Sequence, residues 1–213
     1  MGAADGEAAY YLALLRFVGR STTAHETSRY VDELALGNLL VASEKEVAPE
    51  IARVFGAFMP EADAPVTAQQ LAASLGTPQF ALHHLNHSEA AELFAKRLGL
   101  GPAVVAGLAH VHERSVGCSP QRLAQRGAIS LSVRVVQVAY QAGCDSLVRG
   151  PAAIGSRVRM RAGSIPDPSI AALFAEAPAH LVSGLDDHDL SQHILDTEPV
   201  GPVSQKARAS TSA

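Results

Sequence analysis

The sequence predicts an all-α fold, and three observations carry that expectation. Aromatic residues make up 5% of the chain and tryptophan is absent, while apolar residues reach 47%. A core must then be filled by small and aliphatic side chains, chiefly Ala and Leu, a composition that disfavours a β-sandwich or barrel. Apolar positions recur at helical spacing, and capping boxes, glycine stops and proline starts punctuate them. With 213 residues the chain is long enough to bury a real core.

In chain order, the first helix covers Ala8 to Val18 and is apolar nearly all round (Tyr10, Leu12, Leu14, Leu15), the pattern of a helix buried on every side. Its wrapping has to come from later helices or from a partner chain. Capping boxes at Ser43-Glu44-Lys45-Glu46 and Thr67-Ala68-Gln69-Gln70 start helices near 44 and 68, with a linker over 59–65 between them. A longer helix runs from Pro78 to Leu98 and stops at Gly99. Pro102 opens the next, which reaches about Arg114. After Gly117 comes an irregular loop in which Ser119-Pro120 caps a short helix. From Ile129 to Ala142 the apolar pattern resumes until Gly143. Its β-branched content also suits a strand, but its length favours a helix. Pro151 and Asp167-Pro168 begin two further helices, and Asp186-Asp187 a last one over His188 to Leu195. The polar, aperiodic residues 199–213 read as a disordered tail.

Charge and thiol content narrow the function classes. A formal charge of −4 offers no basic stripe for phosphates, so direct nucleic-acid binding is not expected. Cys118 and Cys144 lack metal or redox spacing and read as ordinary thiols of a reducing compartment. The N-terminus has no basic n-region, and no apolar run approaches the roughly 20 residues of a bilayer span. The expected setting is cytoplasmic, away from membranes.

Five of the nine histidines fall between His83 and His112, the one concentration of potential metal ligands. His87 lies four residues after His83 and three after His84, so it shares a helix face with either. His110 and His112 point roughly opposite ways on a helix, and at most one faces the same pocket. His83 and His84 read as surface or boundary residues of an amphipathic helix, His25 as first-turn decoration, and His180, His188 and His193 as solvated.

The ordered blocks Leu14-Leu15-Arg16-Phe17-Val18-Gly19-Arg20, His87-Ser88-Glu89-Ala90-Ala91, Ala109-His110-Val111-His112-Glu113-Arg114, Arg134-Val135-Val136-Gln137-Val138-Ala139 and Arg161-Ala162-Gly163-Ser164-Ile165-Pro166-Asp167-Pro168 resemble those of the HD-GYP family over about residues 8–177. The resemblance implies an HD-domain-like helical bundle over 1–198. Family members hydrolyse cyclic dinucleotides, typically cyclic di-GMP, with two or three metal ions. The likeness is greatest to an actinobacterial subgroup that carries the domain ahead of a LuxR-type DNA-binding helix-turn-helix.

The departures are as informative. Where the family has its metal-binding His-Asp pair this chain has Arg16 and Phe17, and where it has a carboxylate after Val138-Ala139 this chain has Tyr140. A guanidinium and a phenyl ring cannot ligate a divalent ion. Arg20 keeps the charge of the family's phosphate-side lysine. The family's Gly-Tyr-Pro loop shrinks to Ser119-Pro120, and its helix bearing the first histidine ligand has no counterpart. What survives is His87, His110 and, depending on register, His112, enough for one iron, manganese or zinc ion but not for a carboxylate-bridged dinuclear centre. His87 and His110 read equally as a hydrogen-bonded core pair kept from an ancestral site. Arg16 and Arg20 read as an anion-binding pair or as partners of Glu89.

The expectation is therefore a degenerate HD-GYP-like module, sensory, regulatory or interaction-mediating, with no catalytic residue, a nucleotide or protein partner, and a homodimer that covers the first helix. Two alternatives stay open. One is a phosphohydrolase rebuilt around His87, His110, His112 and Glu89 or Glu113. The other is a fragment of a longer transcriptional regulator.

Overall fold

Helix boundaries follow local capping chemistry more closely than hydrophobicity. The computed structural model describes residues 2–20, 49, 78–111, 129–163, 166–182 and 189–199. The expected helix starts near 44 and 68, the 59–65 linker, the Ser119-Pro120 turn and the tail from 200 lie outside them. All regular structure among the described residues is helical, and none of their helices is long and apolar enough to cross a membrane.

Helix α1, Ala3–Leu15, begins five residues before the apolar stretch. The Asp5 carboxylate accepts the Gly2 amide at 3.1 Å and closes the first turn. Ala8, Tyr11 and Leu12 are buried, but Ala13 and Leu14 are exposed. The expectation of burial on every side is thus corrected: α1 packs against α3 (Pro102–His110) and α4 (Leu131–Arg149), which leaves part of its circumference to solvent. The chain then turns through a 3-10 segment, Val18–Arg20, that packs on α2, Pro78–Arg97.

Helix α2 ends in a Schellman motif. Gly99 takes φ 72°, Leu100 N donates to Ala95 O at 3.0 Å and Gly99 N to Lys96 O at 3.1 Å. Leu100 and Ala95 enter the core together, so the cap also aims the chain inward. Pro102 opens α3 at its first position, as expected, and α3 ends at His110, with residues 112–128 outside the described set.

Ser130 caps α4, its side chain accepting the Val133 amide at 3.3 Å. The helix then runs through Gly143, the expected stop, to Arg149, and Gly150 at φ 78° ends it. A mid-helix glycine costs only about 1 kcal/mol, less than the packing that buries Cys144 and Asp145 beyond it. A 3-10 turn, Pro151–Ala153, leads into α5, Ile154–Arg161. Asp167 caps α6, Pro168–Phe174, accepting the amides of Ser169 and Ile170 at 2.9 and 3.3 Å. The short α7, Pro178–Val182, was not anticipated. Helix α8, Leu190–Asp196, starts two residues later than expected.

Two apolar clusters share α4. Val133 and Val136 in its first half, and Ile129 just before it, pack with Leu12, Ala91, Leu108 and Val111, while Val138 and Ala142 pack with Ile154, Val158 and Ala171.

Candidate functional site

Polar side chains on α4 lie where these two clusters meet. Gln137, Gln141 and Asp145 follow Arg134 at i+3, i+7 and i+11, one face of the helix, and all three are buried. Tyr140 lies beside this stripe, and α1 reaches it from its last turn.

Arg16 is the C-cap of α1, its amide donating to Leu12 O at 3.0 Å. Its side chain is buried, with the guanidinium carbon 3.8 Å from the Tyr140 ring centroid and 4.8 Å from that of Phe17. The two rings meet each other at 5.2 Å, tilted by 57°. A cation over two ring faces is attracted by both quadrupoles, worth about 1–2 kcal/mol when desolvated. Phe17 and Tyr140 are 123 positions apart in the sequence, yet they form one aromatic seat for a fixed positive charge.

Cys144 lies one turn beyond Tyr140. Burial pushes its thiol up from the ordinary value, while the Tyr140 hydroxyl and the Arg16 charge pull the other way. One turn of α4 on from Gln141, the fully buried Asp145 accepts Gln141 Nε2 at 3.1 Å and stands 3.5 Å from Arg157 Nε of α5. A carboxylate so placed needs such partners, because desolvation of a lone ion costs several kcal/mol. Arg134 reaches Asp167 at 3.1 Å. Burial alone would raise the Asp167 carboxyl, but the Ser169 hydroxyl, Arg134 and the amides of Ile170 and Ser169 outweigh it and hold it at about 2.

The structure thus brings Arg16, Phe17 and Tyr140 together. Arg20 closes the turn that follows Arg16, and its side chain is outside the described set. His110 is the half-buried last residue of α3, and α3 packs on α2, the helix that carries His87. The side chains of His83, His84 and His87, and all of His112, fall outside the described residues. Among those described, no three His, Cys, Asp or Glu side chains gather as a metal-binding group. His180 and His193 are exposed, as expected of solvated residues.

Sequence reasoning missed Asp145, Arg157 and Gln141. The available signal was a glutamine and an aspartate four apart in a helix otherwise rich in apolar residues. The arrangement offers a held cation, a phenol and a buried thiol. At the positions of Arg16, Phe17 and Tyr140 it offers no carboxylate or imidazole, so these residues do not fit a metal ion. No protein-family model, curated protein or solved structure matches the chain.

Proposed function

We propose that the chain is a regulatory or interaction module of HD-GYP-like descent, an HD-domain-like bundle that no longer hydrolyses phosphodiesters. The observation that carries this reading is the convergence of Arg16, Phe17 and Tyr140. These are the three positions where the resemblance calls for metal ligands, and a family-like register would require them to meet. Their chemistry has been exchanged as a set. A permanent guanidinium charge stacked over two rings repels a divalent cation, and it supplies the positive charge such a cation would otherwise bring. The packing of α2 against α3 and against the Val18–Arg20 turn, which carry parts of three of the matched blocks, fits the same reading. A cytoplasmic setting belongs to it, with a nucleotide or protein partner, a nucleotide or other anion being met through Arg16 and Arg20, and a second copy against α1. Any residual ion held by His87, His110 and His112 would be single and structural.

Elemental analysis of protein purified without chelators, with a cyclic di-GMP turnover assay in added iron or manganese, tests the proposal. At most one equivalent of metal and no turnover are expected. Two equivalents of iron or manganese with turnover would overturn it.

A further inference from the structure

Helix α8 is held to the rest of the protein in an unusual way. It has seven residues, none of them buried, and Leu195 on it is 63% exposed. A helix of this length is unstable alone, because nucleation costs more than so few hydrogen bonds return. Its N-cap residue, Asp189, makes no side-chain cap. Its last turn, by contrast, is also bonded from α1. The Tyr10 hydroxyl donates to the Ile194 carbonyl at 2.7 Å, an oxygen that also accepts the Thr197 hydroxyl at 3.0 Å. The Tyr11 hydroxyl donates to Glu198 Oε1 at 3.0 Å. The two tyrosine rings stand edge to face, 5.2 Å apart, and Tyr11 is packed in the first core cluster. The seat is therefore rigid, while the helix upon it has no core of its own.

We propose that α8 is a releasable clasp, a segment that becomes helical only when docked on the Tyr10–Tyr11 pair and that opens as a unit while the two cores stay folded. Docking adds the Tyr10 hydroxyl as a second partner for the Ile194 carbonyl in the last turn and ties the Glu198 side chain to Tyr11. Opening bares the tyrosine pair on α1, so any partner that binds one state shifts the population toward it. Burial, together with the Glu198 contact, pushes the Tyr11 hydroxyl up to about 12, so it remains a donor throughout the physiological pH range.

Hydrogen exchange on the complete chain, comparing wild type with Tyr10→Phe and Glu198→Ala, tests the clasp. Each variant deletes one docking hydrogen bond, and exchange of the amides at 193–197 is expected to accelerate roughly threefold to tenfold, with the amides of α4 unchanged. Glu198→Ala changes no side chain of the core and keeps the test valid should Tyr10→Phe disturb packing. Equal protection of α8 and α4 in the wild type, or unchanged α8 exchange in Glu198→Ala, would overturn the proposal.

Discussion

Asp167 serves two elements through one carboxylate: Oδ1 caps α6 and Oδ2 binds Arg134 of α4. Its carboxyl lies at about 2 in place of the ordinary 3.8, which corresponds to about 2 kcal/mol of stability. Because the folded value is the lower one, this contribution is complete above about pH 4 and is lost as pH falls toward 2. Asp167→Asn is expected to lower stability by about 1–2 kcal/mol in urea at pH 7, with the gap to wild type narrowing at pH 2–3. A gap that stays constant across that range would show that the ionised carboxylate is not the source. The proline after Asp167 made this cap legible in the sequence. The Arg134 partner was not, because nothing in a string of residues says which arginine will reach a cap 33 positions away. The same limit applied to the candidate site. The family resemblance singled out Arg16, Phe17 and Tyr140 as departures from its pattern, but their stacking depends on how α1 crosses α4. Asp145 drew no notice because a buried carboxylate cannot be told from a solvated one until its partners are placed.

At the scale of the element, the two glycines that bear on the end of α4 make opposite demands. Gly143 lies inside the helix, and a methyl group there would meet nothing within 4 Å. Gly150 adopts φ 78° and ψ 163°, a conformation essentially reserved for glycine that costs another residue about 1–3 kcal/mol. Gly143→Ala should therefore stabilise by about 0.5–1 kcal/mol and raise Tm by about 1–4 °C, while Gly150→Ala should lower it. Thermal melts of the two variants decide this, and a lowered Tm for Gly143→Ala would mean that the helix needs its glycine for some other reason. The pair also explains why the sequence misplaced this boundary. Both glycines are plausible stops, and what chose the later one was burial of Cys144 near Arg16 and of Asp145 beside Arg157, a tertiary effect that overrides propensity. The stops and starts that were legible, Gly99, Pro102 and Asp167, are those whose hydrogen bonds close locally. The short α7 lacked enough residues to show a period.

At the scale of the whole molecule, α4 belongs to both apolar clusters, so loss of either should be felt by the other. A close contact on α4 tests this. A Cβ added at Gly107 of α3 would lie 2.9 Å from both Leu12 methyl groups of α1 and 3.2 Å from Val133 of α4. Leu12 and Val133 are fully buried, leaving no direction in which they can yield cheaply. Gly107→Val should force the three helices apart at a cost of about 1–3 kcal/mol, a fall in Tm of about 2–10 °C. Since α4 couples the clusters, amides of α5, which packs in the second cluster, should exchange faster by the same factor as those of α3 under conditions where exchange follows global opening. Faster exchange in α3 with α5 unchanged would separate the clusters into two independently opening units joined only by the continuity of α4.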